Sequence, residues 1–251
     1  MVRISHSVVV ESVPRLWFEQ ALRVLHGVAR ETRAEGGRVL LPDGRAVPDV
    51  RLAEGCHLSP GAVYELEDEQ EHVRLTVRQW GSAPALRLEH ALAGRGVIVV
   101  LEASLRDVDR PVQTEISGSV QVHGRWQSLR RANGGARVDL RSWWKAATGR
   151  RPAGAPFEAR VRHRLARATL RATPRPHGDG RWEVRLVLSL RGRSLLRPVA
   201  AAGLLLRRRR LRQVFAEAVE ETARQWNRTV PQAVAHDASR LLERVLDAAA
   251  S

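Results

Sequence analysis

The spacing of hydrophobic residues changes several times along the first half of the chain. Residues 4–13 are rich in β-branched side chains and predict a strand that stops at a proline. Between residues 15 and 33, apolar side chains recur at every third or fourth position, which predicts a helix that ends before a pair of glycines. From residue 38 to residue 123, short alternating runs separated by turn residues predict a series of antiparallel strands.

The pattern breaks after this series of strands. Residues 124–156 are dominated by Gly, Arg, Pro and Ala, and they predict a long loop with one short helix near residues 138–147. Two more strands are predicted after this loop, the first over residues 157–173 and the second over residues 182–190.

The last third of the chain predicts helix. An apolar stripe runs from about Pro198 to Asn227, and Pro231 is expected to end or kink this helix. A short amphipathic segment follows at residues 238–246. The sequence has no repeat of fixed period. Its predicted strands and helices together indicate an α+β fold with an antiparallel sheet and a long C-terminal helix.

Positive charge is concentrated in one part of the chain. Residues 125–212 contain 24 Lys or Arg against four Asp or Glu, whereas residues 1–124 contain 14 against 17 and residues 213–251 contain four against six. A field of this kind attracts polyanions or anionic surfaces. Only Lys145 among the 42 basic residues is a lysine. Codon bias or selection for guanidinium groups that grip phosphate and carboxylate both explain this preference.

Other sequence features exclude several classes of protein. A single cysteine excludes an internal disulfide framework and a thiolate zinc cage, and it fits a reducing cytoplasm. The N-terminus reaches Glu11 before an apolar signal core forms, and no run approaches the ~18 apolar residues that a membrane span needs. Glycine-rich phosphate loops, nucleophile elbows and zinc-ligand spacings are missing, so no cofactor and no metal are expected. We therefore expect a soluble cytoplasmic protein, with peripheral binding to a membrane as a further expectation from its charge.

Two segments resemble the START-like, or helix-grip, superfamily, which includes polyketide cyclase/dehydrase-like and lipid-transfer proteins. Residues 8–17, VVVESVPRLW, look like its opening strand, proline turn and first helix. Residues 182–192, WEVRLVLSLRG, together with Leu195–Pro198, the Leu/Arg-rich run 204–212 and the helix that reaches Trp226 and Asn227, look like its last strand and closing helix. Both matches cover about a third of the chain, and neither is a catalytic signature.

The resemblance implies a curved antiparallel sheet wrapped around the long C-terminal helix, with an apolar cavity between them. That cavity would take a hydrophobic small molecule such as a lipid, a quinone or a polyketide. The chain is longer than one such domain needs. We expect either one enlarged domain over residues 1–251, with a basic insertion at 125–156 and a helical extension at 229–251, or two partial copies that share one structure.

Candidate ligand-binding residues follow from the predicted sheet and helix faces, and polar residues on apolar strands are weak catalytic candidates for a reaction of the cyclase/dehydrase kind. The inward-facing candidates are Leu86, Leu88, Leu101, Leu186, Leu188, Phe215 and Val219. The polar candidates are His90, Glu102 and His163, which could move a proton or polarise a carbonyl. Each of them has a plain structural alternative as a satisfied core, rim or edge residue.

The basic stretch also contains tryptophans, which prefer membrane interfaces, beside arginines, which pair with phosphate. The predicted contacts to an anionic surface are Arg141, Trp143, Trp144, Lys145, Arg207, Arg208, Arg209 and Arg210. The partner would be an anionic membrane or an acidic protein. A less favoured alternative is a nucleic-acid-binding module that uses residues 125–212, with bases stacked on the tryptophans. Packing of these tryptophans onto the sheet is the commonest outcome for such residues.

Overall fold

A computed structural model describes residues 2–67, 72–81, 85–94, 97–107, 111–122, 131–164, 166–192 and 208–235. The described residues form an α+β fold with antiparallel strands and a long C-terminal helix. In chain order, the elements are β1 (Val2–Glu11), α1 (Arg15–Glu31), β2 (Arg33–Glu35), β3 (Arg38–Leu40), β4 (Ala46–Glu54), β5 (Val63–Glu67), β6 (His72–Gln79), β7 (Ala85–Gly94), β8 (Val97–Arg106), β9 (Gln113–Val122), β10 (Arg131–Asp139), α2 (Leu140–Ala147), β11 (Phe157–His163), β12 (Ala166–His177), β13 (Arg181–Gly192) and α3 (Arg208–Val234).

The chain divides into two compact units. Unit 1 consists of residues 1–13 and 131–233, and unit 2 consists of residues 14–130 and 234–251. Strands in unit 1 are ordered β1-β13-β12-β11-β10, and strands in unit 2 are ordered β9-β8-β7-β6-β5-β4-β3-β2. A single enlarged domain and two partial copies both stay predictions.

Unit 1 is organised around strand β13, which pairs along its whole length with β1 on one side and β12 on the other. Its core contains Val10, Trp182, Val184 and Ala223, all at most 8% exposed. Ala147 at the end of α2 joins the same cluster. The N-terminal strand, a hairpin near residue 180 and both helices of this unit therefore share one core.

Unit 2 is a meander of hairpins with a small core near its β4–β6 end. Val39, Ala62, Tyr64 and Val77 are buried there, and none of them is more than 8% exposed. Helix α1 is strongly amphipathic, although Ala21 is its only buried residue. The periodicity of residues 15–33 thus predicted this helix to within two residues of its end.

The predicted loop over residues 124–156 is wrong in part, because residues 131–139 form strand β10. Its glycines and arginines obscure the alternation of apolar and polar residues. Pairing with β11 stabilises this strand, although its local β propensity is low. The short helix near residues 138–147 is confirmed as α2.

The single strand predicted over residues 157–173 is also wrong. Two strands, β11 and β12, cover this segment, and they form an antiparallel hairpin in which Arg162 is opposite Arg167. The alternation continues across the reversal without a Gly or Pro to mark it.

The long C-terminal helix is present, and it does not end at Pro231. Helix α3 continues through Pro231 to Val234. Pro231 has no N–H to donate to the Asn227 carbonyl oxygen, so the helix continues past it with one intrahelical hydrogen bond fewer. The predicted start near Pro198 and the amphipathic segment at 238–246 lie outside the described residues.

Candidate functional site

One face of the unit 1 sheet is apolar across four strands, and we call it the apolar face. Strand register places its members in rows, because paired residues in antiparallel strands point to the same side. The rows are Ile4–Leu188–Leu170–Ala159, His6–Leu186–Ala172–Phe157 and Val8–Val184–Pro174. Small residues on β11 and β12 alternate here with leucines on β12 and β13, so this surface has shallow depressions between larger side chains.

The apolar face is not fully covered. Trp182 and Val184 at one end are buried, but Leu186 and Leu188 further along β13 are only half-buried. Val161 on β11 belongs to the same face and is 45% exposed. A large contiguous apolar surface that stays partly open to solvent is typical of a binding site.

Helix α3 is attached to the free edge of β1 by side chains near its C-terminal end. The Nε1 group of Trp226 donates to the Glu11 carbonyl oxygen at 2.9 Å. Asn227 accepts a hydrogen bond from the Glu11 amide at 2.8 Å and donates its Nδ2 group to the Val9 carbonyl oxygen at 3.1 Å. These bonds satisfy the backbone groups that an edge strand leaves unpaired.

A second attachment lies one to two turns closer to the start of α3. The Nε2 atom of His6 is 3.1 Å from a carboxylate oxygen of Glu220. His6 is paired with Leu186, so the register places this contact on the apolar face. Helix α3 therefore runs beside β1 along much of this strand.

The sheet-facing stripe of α3 is apolar at four-residue intervals. Phe215 and Val219 are half-buried, and they share this stripe with Ala223, which is buried in the core. Val214 is the residue before Phe215 and is 54% exposed. The stripe is tightly packed at Ala223 and looser towards Phe215.

Four of the seven predicted ligand contacts, Leu186, Leu188, Phe215 and Val219, occur in unit 1 on these two surfaces. Leu86, Leu88 and Leu101 belong to unit 2, and the side chains of Leu86 and Leu88 lie outside the described residues. Leu101 is paired with Gly118, and a Cβ atom added to Gly118 would be 2.6 Å from the Cδ2 atom of Leu101. This close approach is a packing contact between neighbouring strands.

The polar candidates are distributed over both units. His163 is half-buried at the end of β11, on the same face as Val161. His90 and Glu102 belong to unit 2, where His90 is paired with Leu101 and Glu102 with Glu89. The side chain of His90 lies outside the described residues. Sequence reasoning missed His6, since its importance depends on the distant Glu220.

The two adjacent tryptophans of α2 are placed by a well-formed helix start. The Asp139 carboxylate accepts hydrogen bonds from the Ser142 amide at 2.8 Å and from its hydroxyl at 2.9 Å. Trp143 then packs edge-on against Trp182, with the ring centroids 5.9 Å apart. Trp143 thus serves the core of unit 1, which was the packing alternative, and Trp144 is half-buried.

The basic candidates beside these tryptophans are exposed where they are described. Arg141 and Lys145 on α2 and Arg209 and Arg210 on α3 all face solvent. Arg207 and the side chain of Arg208 lie outside the described residues. Their contact with an anionic surface stays a prediction.

A hydrogen-bond chain in unit 2 surrounds His57. The Thr32 hydroxyl donates to the Ala29 carbonyl oxygen at 2.6 Å, and it therefore accepts from the Nε2 group of His57 at 2.9 Å. The Tyr64 hydroxyl accepts from the Leu58 amide at 2.8 Å and donates to Nδ1 of His57 at 2.9 Å. A neutral imidazole with its proton on Nε2 satisfies all of these partners.

The surroundings of His57 and Tyr64 shift the pKa of each side chain. Burial lowers the pKa of His57 below its ordinary value, and this effect outweighs the hydrogen bond that the ring donates to Thr32, which favours the charged ring. Burial also raises the pKa of Tyr64. Cys56 is exposed in the same turn, and His57 uses both ring nitrogens elsewhere, so a Cys–His dyad is not formed.

We expect unit 2 to lose stability below about pH 6.5, because the unfolded chain then protonates His57 before the folded chain does. This contribution is complete above the unfolded pKa and is lost as the pH falls towards the folded pKa. His57→Gln should flatten this part of the pH dependence in urea unfolding between about pH 7.5 and pH 5. His177→Gln, at an exposed strand end in unit 1, is the control, and an unchanged slope in His57→Gln contradicts the prediction.

Within the described ranges, the His, Cys, Asp and Glu side chains do not gather into a group of three or more that could hold a metal ion. None of the helices described here is long and apolar enough to cross a bilayer.

Comparison with known proteins gives little further information. The chain matches no protein-family model, and no curated protein matches it. A crystal structure of DynU16, described as a protein in the dynemicin biosynthetic locus, is similar over 74% of this chain and 86% of that chain, with 11% sequence identity and a TM-score of 0.22. A TM-score this low carries no argument about fold or function.

Proposed function

We propose that unit 1 binds a hydrophobic small molecule between the apolar face of its sheet and helix α3, in the manner of a helix-grip protein. One observation carries this proposal. Leu186 and Leu188 on the sheet, and Phe215 and Val219 on the helix, stay half-buried although the same two surfaces are tightly packed near Ala223. An apolar ligand would remove this remaining surface from water.

Burial of these four side chains by a ligand contributes enough free energy to support binding. Burial of apolar surface contributes about 25 cal/mol per Å². Complete burial of four partly exposed aliphatic and aromatic side chains therefore contributes at most several kcal/mol before the cost of immobilising the ligand is subtracted. A lipid, a quinone or a polyketide has the apolar area to provide this contact.

His6 supplies a polar group on the same surface. Its ring is held by Glu220 through Nε2, which leaves Nδ1 of the neutral ring to accept a hydrogen bond from a hydroxyl group of the ligand. A pocket of this kind is mostly apolar, with few polar groups that orient the ligand. The imidazole also gives a cyclase or dehydrase reaction a group that can accept a proton.

Replacing Phe215 with arginine should weaken binding of the neutral apolar fluorophore Nile red by about ten-fold or more, because a buried aromatic contact is worth ~1.5–3 kcal/mol and 1.4 kcal/mol is a factor of ten. The measurement is a fluorescence titration of the purified protein. Phe215→Ala should weaken binding in the same direction without adding charge.

Val214→Arg is the matched control, since Val214 is adjacent on the same helix but 54% exposed. It should bind Nile red within about two-fold of the parent protein. Circular dichroism checks that α3 is still formed in each variant. Equal losses in Phe215→Arg and Val214→Arg, or none in either, contradict binding at this stripe.

The second part of the proposed function is docking of unit 1 to an anionic membrane or an acidic protein. Exposed Arg141, Lys145, Arg209 and Arg210 support it. Location in the cytoplasm and peripheral membrane binding belong to this proposal as well.

A further inference from the structure

The side of the unit 1 sheet opposite the apolar face is covered by arginines, and we call it the arginine face. Its members on β11, β12 and β13 alternate with the apolar residues and are exposed. They are Arg160, Arg162, Arg167, Arg171, Arg175, Arg185 and Arg191. The strand register shows which of these arginines are neighbours.

Three of these arginines form one row across three strands. Arg162 on β11 is directly opposite Arg167 on β12, and Arg167 is directly opposite Arg191 on β13. Directly opposed residues have Cβ atoms about 5 Å apart, and like charges at this separation destabilise a sheet. A row of this kind costs stability in the free protein, whereas a bound anion would remove the repulsion.

Counter-charges are distributed unevenly over the arginine face. Glu158 accepts a hydrogen bond from Arg171 at 2.7 Å and also forms an ion pair with Arg160. Although partial burial favours the neutral acid, these two guanidinium groups hold the pKa of the Glu158 carboxyl below its ordinary value. Among the residues that the structure describes, Arg162 and Arg167 form no ion pair. The Glu158 carboxylate therefore neutralises Arg160 and Arg171 and does not reach Arg162 or Arg167.

The arginines surround a shallow groove with a volume of about 350 Å³. Its lining consists of Arg160, Arg162, Arg167, Thr169, Arg171, Ser189 and Arg191. The register pairs Arg160 with Thr169 and Thr169 with Ser189, so two hydroxyl groups lie in the row between Arg167 and Arg171. Five guanidinium groups and two hydroxyls offer hydrogen-bond donors on several sides. The described lining residues include no carboxylate, and Glu158 beside the groove binds Arg160 and Arg171.

Guanidinium groups bind phosphate through paired N–H donors, which explains why arginine suits this groove. Single-stranded nucleic acid is usually held by aromatic side chains on which bases stack. The described members of the arginine face include no aromatic side chain beside the groove. A compact anion of high charge density fits the groove better than an extended stacked strand does.

We propose that this groove is a binding site for a compact ligand with two or more phosphate groups. Arg162, Arg167 and Arg191 hold one end of the ligand, and Arg160 and Arg171 hold the other, with Thr169 and Ser189 donating between them. The site lies on the opposite side of the sheet from the apolar face and does not depend on the function proposed above.

The test uses inorganic tripolyphosphate as the probe and the full chain as the protein. Isothermal titration at constant ionic strength should give saturable binding with one equivalent of tripolyphosphate. Arg162→Gln/Arg167→Gln should weaken this binding at least about ten-fold, because each charged hydrogen bond contributes about a factor of ten or more. The same variant without ligand should melt at the same or a higher temperature, since repulsion between opposed arginines is relieved.

Arg175→Gln/Arg185→Gln is the matched control. It removes two exposed arginines from the same face of β12 and β13, and neither of them lines the groove. This control should keep tripolyphosphate binding within about two-fold. Equal losses in both double variants would show a diffuse field without a site and would overturn the proposal, as would the absence of saturable binding.

Further arms identify the source of the phosphate. Vesicles of phosphatidylcholine that contain a bisphosphorylated phosphoinositide test whether the groove binds a lipid headgroup. Binding of the protein to these vesicles that is displaced by tripolyphosphate supports the site. Binding to tripolyphosphate without binding to these vesicles supports a free ligand. An oligonucleotide that binds through Arg162 and Arg167 but is not displaced by tripolyphosphate overturns the proposal in favour of nucleic acid.

Discussion

Replacing Trp182 with alanine should lower the free energy of unfolding of unit 1 by about 3–5 kcal/mol, the usual cost of removing a large buried aromatic side chain. Trp182 is 8% exposed and belongs to the core cluster that joins β1, β12, β13, α2 and α3. Its ring also supports Trp143, at a centroid separation of 5.9 Å. Alanine would leave a cavity that these elements cannot close without moving.

Urea unfolding monitored by far-UV circular dichroism measures this loss. Trp182→Phe should retain part of the packing and lose less stability than Trp182→Ala. Val214→Ala is the surface control and should change the free energy of unfolding by no more than about 0.5 kcal/mol, since Val214 is 54% exposed. A loss below 1 kcal/mol in Trp182→Ala, within the range of an ordinary surface change, contradicts the core assignment.

The double variant Trp226→Phe/Asn227→Ala should lower the free energy of unfolding by about 3 kcal/mol, because it removes three hydrogen bonds worth about 1 kcal/mol each. Those bonds join α3 to the Glu11 and Val9 backbone of β1. Phenylalanine keeps an aromatic ring at position 226 but lacks the indole N–H donor, so most of the packing is retained while the hydrogen bond is removed.

Amide hydrogen exchange gives a local measurement of the same change. The Glu11 amide donates to Asn227, and its exchange should accelerate in the double variant. Gln225→Ala, an exposed neighbour on α3, should leave this exchange rate and the unfolding free energy near those of the parent. Unchanged protection of Glu11 in the double variant would show that α3 is held to β1 by other contacts.

Local sequence predicted two of the four strands that carry the apolar face. Residues 4–13 are rich in β-branched side chains and correspond to β1. Residues 182–190 have apolar side chains at intervals of two and correspond to β13. The hairpin of β11 and β12 was not predictable in the same way. Arginine alternates on both sides of the reversal near residue 165, and no turn residue marks it.

The site was only partly predictable for a related reason. Leu186, Leu188, Phe215 and Val219 could be chosen from periodicity, which reports the face of an element. His6 and the row of Arg162, Arg167 and Arg191 depend on contacts between segments that are distant in sequence, and periodicity does not report such pairs. Total charge had indicated an anionic partner without locating the groove.

The two faces of the unit 1 sheet therefore have different chemistry within one set of strands. The side chain of Leu188 belongs to the apolar face, and that of its neighbour Ser189 lies in the floor of the arginine groove. Substitutions on either face can consequently be tested for independence, and Phe215→Arg should leave tripolyphosphate binding unchanged.

Native mass spectrometry of the protein as purified, followed by analysis of its organic extract, is the decisive test of ligand binding by unit 1. We expect an added mass from a hydrophobic small molecule that is present in the parent protein and in Val214→Arg but is lost from Phe215→Arg. An unliganded mass for the parent, together with no binding of lipid, quinone or Nile red in titration, would contradict it.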